Sequence, residues 1–290
     1  MKTKTWLPVL LIIACLGVFG GYWALDKMNT DTEAPEIRMD AQIPEISVSD
    51  PKSALLQGIS ASDNTDGDVT ASVVVESISL LDVEGRLMVG YAAFDSAGNV
   101  AKQQREARYT DYESPRFTLA GPLLYRYGTS FDVLATVGAS DVIDGEIQHR
   151  VRATSLVETS IAEMGTHDVR FQVTNSLGDT VSMVFPVEIY DPTVFEASLT
   201  LNSYLVYLRK GEAFSPVAYL ETYSLMGDTI PLQGSLPANY ALKTNGTVDT
   251  QTPGVYPVEF RVTYTQKHET DPNRDRQYTG YSKLIVVVEG

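Results

Sequence analysis

The feature that most constrains this chain is a repeat of about 80 residues, because a self-similar sequence must fold into self-similar units. DTEAP (31–35) and DYESP (111–115) share the pattern D-x-E-x-P at a spacing of 80 residues. ASDNTDGDVT (61–70) returns as ASDVIDGEIQ (139–148), and EGRLMVGYAAFDSAGN (84–99) returns as MGTHDVRFQVTNSLGD (164–179). Three correspondences in the same order at nearly the same offset describe a duplication. A third copy is more diverged: YGTSF (127–131) matches KGEAF (210–214), and GTHDVRFQV (165–173) matches GVYPVEFRV (254–262). It lacks the acidic loop and carries an added polar stretch, KHETDPNRDRQY (267–278). Modules are expected at 34–111, 112–191 and 192–290.

Each copy reads as β. In VRFQVT (169–174) apolar and polar residues alternate, the period-two pattern of a half-buried strand. Val169, Phe171 and Val173 should face inward, with Arg170 and Gln172 outward. Their counterparts are Val258, Phe260 and Val262 in the third copy and Val89, Tyr91 and Ala93 in the first. TVSMVFPVEI (180–189) alternates likewise, and VEFRVTY (258–264) and KLIVVVE (283–289) close the third module. Short strands between turn signals, with no amphipathic helix after residue 25, predict an all-β chain of tandem antiparallel β-sandwiches.

The N-terminus sets the compartment. Trp6 to Leu25 is an uncharged run of 20 residues, which as a helix spans about 30 Å, the thickness of a bilayer's hydrocarbon core. Lys2 and Lys4 precede it and Asp26 follows, so the positive-inside rule places residues 1–5 in the cytoplasm, 6–25 in the bilayer as a single-pass signal anchor, and the rest outside. Residues 26–33 form a short linker. Ile12-Ile13-Ala14-Cys15 also resembles a lipobox, but ten uncharged residues follow Cys15 where a lipoprotein turns polar. A cleaved signal peptide fits less well, since the apolar run is long and no small-x-small site precedes the charges. Cys15 is the sole cysteine, so the exported region has no disulfide framework and no cysteine–zinc site. A net charge of −15 and a pI near 4.6 argue against nucleic acid as a partner.

Catalytic constellations are sparse. His149, His167 and His268 belong to no zinc-protease helix motif, and the chain has no G-x-S-x-G elbow and no P-loop. The expectation is that this is not an enzyme. The acidic loops do carry chemistry: Asp63, Asn64, Asp66 and Asp68 in the first copy, and Asp141, Asp144 and Glu146 in the second, offer the hard oxygen ligands that Ca²⁺ takes. Two readings stand. Asp66-Gly67 and Asp144-Gly145 make tight turns in which glycine takes a positive φ, or the loops hold a metal. The spacing does not fit an EF-hand. DSAGN (95–99) and NSLGD (175–179) read as ordinary Asx and Gly turns.

The succession D-x-x-x-P, ASDN-x-DGD-x-T, G-x(3)-V-x-Y/F and D/N-S-x-G-N/D resembles the bacterial immunoglobulin-like modules of cell-surface proteins, of the hyalin-repeat and pesticidal-crystal-protein type. The third copy, with YLRKGEAFSP and VDTQTPGVYPVEF, is similar to the variant common in Firmicute envelope proteins. The resemblance covers nearly all of 31–290. It departs from the pattern in the short region after the first strand of module 1 and in the lost acidic loop of module 3. It implies immunoglobulin-like sandwiches serving as spacers and adhesion stalks rather than one activity. In such a sandwich the loop ends gather beside the N-terminus. That would bring together Asp111, Glu113, Asp141, Asp144 and Asp179, and in the first copy Asp31, Glu33, Asp63, Asp66, Asp68 and Asp95, with bound Ca²⁺ relieving their repulsion. Module 3 lacks the set, so its junction with module 2 is expected to be looser.

Three functions fit this reading. The first is a membrane-anchored stalk or adhesin-like array that meets an envelope protein or a surface glycan. The second is an accessory subunit of an envelope polysaccharide-assembly or secretion complex, favoured by the short linker. The third is a carbohydrate-binding module, for which Tyr219, Tyr223 and Tyr240 would be the stacking candidates.

Overall fold

A computed structural model describes residues 11–21, 31–153, 163–233, 236–269 and 272–290. The expected cytoplasmic tail, both ends of the expected anchor (6–10 and 22–25) and most of the linker lie outside the described residues. Residues 11–21 are helical, and Leu11, Ile12, Ile13, Leu16, Val18 and Phe19 are exposed on them. Among the described residues no helix is long and apolar enough to cross a membrane. The chain is otherwise all-β and divides into two compact units, Met1–Tyr112 and Glu113–Gly290.

The first unit holds two sheets. Glu36–Met39, Ile59–Asp63 and Gly67–Asp68 form one, and Glu45–Ile46, Val100–Tyr109, Arg86–Phe94 and Val74–Leu80 form the other, in those orders. All neighbours are antiparallel except Glu45–Ile46, which runs parallel to the end of Val100–Tyr109. The chain thus leaves one sheet after Met39 and joins the other at Glu45, so the opening segment ties both sheets together. Val89, Tyr91 and Ala93 are fully buried, as expected, and so is Leu87; Gly90 and Ala92 on the other face are buried as well. Arg105 was not singled out by the sequence. Its guanidinium donates to the carbonyls of Leu55 and Gln57, both at 2.9 Å, and lies 5.7 Å from the centre of the Tyr91 ring. Tyr91 donates to the same Leu55 carbonyl, fixing the short helical turn Lys52–Leu56 onto the sheet.

The second copy repeats this topology. Arg116–Leu119, Val137–Asp141 and Gly145–Glu146 form a three-stranded sheet, and Leu124–Arg126, Thr180–Tyr190, Gly165–Thr174 and Arg152–Ala153 a four-stranded one. The parallel pairing recurs between Leu124–Arg126 and the end of Thr180–Tyr190. Phe117, Val137 and Ala139 from one sheet meet Val169, Phe171, Val173, Phe185 and Val187 from the other in a single core. The two sheets therefore pack as a sandwich. Phe185 lies between Phe117, edge-on at 5.6 Å, and Phe171 at 5.8 Å.

The third copy is one seven-stranded sheet, running from Asp228–Pro231 through Leu220–Leu225, Ala197–Leu201, Arg276–Val288 and Gly254–Gln266 to Tyr240–Asn245, with Leu205–Leu208 also paired to Arg276–Val288. Its last strand is buried on both faces. Leu284 and Val286 enter the third copy's own core, whereas Ile285 and Val287, with Leu205, complete the core of the second sandwich. The expected looser junction between modules 2 and 3 is therefore corrected: the two share a wall. KLIVVVE lacks polar alternation because neither face meets water.

Polar groups fasten the same face of that strand. Glu188 Oε2 accepts from the Lys283 ammonium at 2.6 Å and from the Tyr281 hydroxyl at 2.8 Å. Burial and the Glu188 carboxylate push the Tyr281 phenol far above its ordinary pKa, so it stays protonated and donates. Arg116 pairs with Glu289 at 2.8 Å and sits 5.2 Å from the Tyr207 ring centre. Tyr207 exchanges hydrogen bonds with the Phe117 backbone, and burial pushes its pKa up to about 12.

The Lys283 side chain is only 5% exposed, so removing its partner strands a charge. Glu188→Ala is expected to destabilise residues 113–290 by about 3–5 kcal/mol, with much of the loss recovered by adding Lys283→Met; urea melts of the single and double variants check both. Phe171→Ala should cost about 3–5 kcal/mol, because the ring is fully buried. That measurement belongs on a fragment of 113–290, since a module cut at residue 191 would lose Ile285 and Val287 from its core; a cost under about 1 kcal/mol would contradict the packing.

Candidate metal centre

The acidic loop of the first copy begins as a turn. Asp63 ends its strand, and its Oδ1 accepts the backbone N–H groups of Thr65 (2.8 Å) and Asp66 (2.9 Å). Gly67 follows at φ 74°, a left-handed conformation that a side chain would strain, and Asp63 pairs back to it across a tight hairpin. Asp66 reaches the 95–99 turn, where it accepts from the Ser96 N–H (2.6 Å) and hydroxyl (2.8 Å). That turn is closed by Asp95, which accepts from the Asn99 N–H and side-chain amide, each at 2.7 Å. The Asn99 amide also donates to the Asp31 carbonyl at 3.1 Å.

These links bring three carboxylates together. One oxygen each from Asp31, Asp63 and Asp95 lies within 4.8 Å of the others. Asp63 and Asp95 are each 9% exposed. Burial pushes the Asp95 carboxyl up, but the Asn99 side chain and the backbone N–H groups of residues 97–99 outweigh it, leaving its pKa below the ordinary value. Two oxygens of the cluster, Asp31 Oδ2 and Asp63 Oδ2, are buried without a hydrogen-bond partner among the described residues.

The second copy builds the same turn and completes it differently. Asp141 Oδ1 accepts from Ile143 and Asp144 N–H at 2.8 and 3.0 Å, with Gly145 at φ 69°. Asp144 accepts from Ser176 N–H at 2.6 Å, as Asp66 does from Ser96, and also pairs with Arg150 at 2.7 Å. At the position of Asp95 stands Asn175, whose amide donates to Asp141 Oδ2 at 3.1 Å. Here the second carboxylate oxygen has a protein donor.

Among the residues offered by the sequence as ligands, the structure brings Asp63 into the three-carboxylate cluster, with Asp31 and Asp95 from the wider first-copy set. The others bond elsewhere. Asn64 donates to Glu33 at 2.8 Å, and Asp68 accepts from Thr70 N–H at 2.9 Å. Asp111 accepts from Ser47 and Val48 within the first unit, both at 2.7 Å. Glu113 stands 3.8 Å from Arg116, and Glu146 is exposed on the short strand Gly145–Glu146. Sequence reasoning missed Asn99, whose amide joins Asp31 to Asp95; the 95–99 turn signal accounts for its backbone but not for this side-chain role.

Of the tyrosines weighed as stacking candidates, Tyr223 is 1% exposed and donates to the Tyr278 carbonyl at 2.8 Å. It packs edge-on against Tyr240 at 5.2 Å, and Tyr240 leads on to Tyr264 at 4.9 Å. Tyr223 is a core residue rather than part of an open platform, and burial pushes its pKa up to about 12.

Asp144 gives a pH-dependent prediction. Burial raises its carboxyl, while Ser176 and Arg150 lower it further, so the folded pKa lies below the ordinary value. Its contribution is then complete above the unfolded value near 4 and is lost as pH falls through the folded value. Asp144→Ala should cost about 1–3 kcal/mol at pH 7 and clearly less near pH 2, read from urea melts at both. An equal cost at both would exclude the carboxylate's charge as the holding group.

No family model matches the chain, and no curated protein matches it. Among solved structures it is similar to the CBM51-2 and INT domains of Clostridium perfringens ZmpB, a structure in complex with GlcNAc, at 17% identity and a TM-score of 0.22 over 53% of this chain and 26% of that one. It is also similar to the M60 catalytic domain of the same protein with its CBM51 domains, at 11% identity and a TM-score of 0.24 over 87% and 42%. A third is the protocadherin GammaB4 extracellular domain, at 12% identity and a TM-score of 0.20 over 89% and 50%. The chain thus spans between a quarter and a half of the length of these chains, and likeness at this level carries no conclusion about what it binds.

Proposed function

We propose that this chain is a membrane-anchored, extracytoplasmic structural and binding protein, built from immunoglobulin-like β-sandwich modules and without enzymatic activity. The observation that carries the reading is the apolar helical segment at 11–21. Leu11, Ile12, Ile13, Leu16, Val18 and Phe19 are each more than half exposed there, a surface that a bilayer would cover. The uncharged run 6–25, preceded by Lys2 and Lys4, has the length and charge bias of a signal anchor with its N-terminus in the cytoplasm. The cysteine-free sheets that follow need no oxidant to fold, and the shared wall of the second unit makes a stiff carrier for a binding surface. The partner would be an envelope protein or a surface glycan. The short linker at 26–33 also supports the second reading, an accessory subunit of an envelope polysaccharide-assembly or secretion complex, because it keeps the first unit near the bilayer.

Protease added to intact, wall-stripped cells should digest residues 31–290 while a fragment containing 1–25 stays in the membrane fraction after carbonate washing. Protection of 31–290, or release of the chain by carbonate, would overturn the anchored, outward-facing reading. Cross-linking in the same cells would separate a stalk from a machine subunit by recovering a stoichiometric membrane partner only for the latter.

A further inference from the structure

We propose that Asp31, Asp63 and Asp95 bind one Ca²⁺ ion, and that the second copy of the loop lacks this site, because Asn175 stands in place of the third carboxylate and Asp111, the counterpart of Asp31, is taken up by Ser47 and Val48. The second copy serves as an internal control. Both copies close the same Asx turn on the first oxygen of the leading aspartate, Asp63 or Asp141. In the second copy the other oxygen accepts from the Asn175 amide at 3.1 Å. In the first copy the matching residue is Asp95, which has no proton to give, and the nearby Asn99 amide is spent on Asp95 and on the Asp31 carbonyl. Asp63 is 9% exposed, yet among the described residues its Oδ2 has no donor, and neither has Asp31 Oδ2. A buried carboxylate oxygen is seldom left unpaired, least of all beside two further carboxylates. A cation answers all three groups at once.

The donor set selects the ion. The first unit contains no histidine, and the chain's one cysteine lies in the apolar N-terminal segment, so the ligands are carboxylate oxygens, suited to Ca²⁺ or Mg²⁺ rather than Zn²⁺. Carboxylate oxygens within 4.8 Å of one another can share one Ca²⁺, whose ligands at about 2.3–2.6 Å take a flexible geometry without the octahedral placement and tightly held water shell that Mg²⁺ demands. Three protein ligands leave the remaining positions to water, which places the affinity in the weak class of extracellular modules, about 10⁻⁴–10⁻³ M. Bound there, the ion ties Asp31, ahead of the first strand, to both loops of the first unit. The site is independent of the membrane reading and stands or falls separately from it.

The test uses the full-length chain in detergent, stripped with chelator and titrated with CaCl₂ by calorimetry, with thermal melts in parallel. The expected result is about one Ca²⁺ per chain, a dissociation constant of about 0.1–1 mM, and a rise in the first unit's melting temperature at 10 mM, roughly ten or more times that constant. Asp95→Asn copies Asn175; it should bind Ca²⁺ at least roughly tenfold more weakly while melting cooperatively without the ion. Asp31→Asn is the second variant, since among the described residues the Asp31 side chain holds only the Glu33 N–H, at 3.0 Å, and it should lose binding with little change in the metal-free melt. Absence of binding and of any melting shift, or undiminished binding by both variants, would overturn the proposal. Equal binding of MgCl₂ would overturn the assignment to calcium.

Discussion

The strand Arg276–Val288 is the element on which the second unit depends, because its alternate side chains serve two different cores. Leu284 and Val286 point one way, and Tyr281, Lys283, Ile285 and Val287 the other. A strand buried on both faces gains hydrophobic stabilisation from each, but it cannot yield one face without opening the other. The second sandwich borrows Leu205, Ile285 and Val287 to finish its interior, so it is not a closed domain by itself. That is why residues 113–290 form one compact unit although they contain two copies of the repeat.

The cost of such a wall is a polar group held where water is scarce. Lys283 is 5% exposed, within a run of apolar residues, and its ammonium is matched by Glu188, which also takes the Tyr281 hydroxyl. Paired buried charges add less to stability than hydrophobic packing would, but they admit only one arrangement of the two partners. The Lys283–Glu188 and Arg116–Glu289 contacts flank the apolar run and fit the register in which Ile285 and Val287 meet the second core.

The duplicated sandwiches show how two exchanged residues change the electrostatic character of a shared frame. Sheet order, the parallel edge pairing, the Asx turn and the left-handed glycine recur in both copies. The difference lies in the exchange of Asp95 and Asn99 for Asn175 and Asp179. In one copy the amide faces the leading aspartate and satisfies it; in the other the amide sits four residues later and serves the Asp31 carbonyl instead. Backbone geometry is set by the turn, and charge balance by which of two neighbouring positions carries the proton donor.

Much of this was legible in the sequence. Period-two alternation marked Val169, Phe171 and Val173 and their counterparts as inward, since a half-wetted strand must separate its faces. The repeat, together with the loop ends of a sandwich, placed Asp31, Asp63 and Asp95 in one set. It also placed Glu33, Asp66 and Asp68 there, because spacing alone does not reveal which carboxylate is taken up by an Asn64, a Ser96 or a Thr70 nearby. The junction between the second and third copies was misjudged for a related reason: KLIVVVE states that a strand is apolar all round, not whose core lies on its far side. Local sequence determines strand periodicity, turn chemistry and residue type, because those depend on neighbours along the chain. Only the tertiary structure decided that Ile285 completes another sandwich's core and that Asp63 Oδ2 has no donor, because both depend on groups brought close from distant parts of the chain.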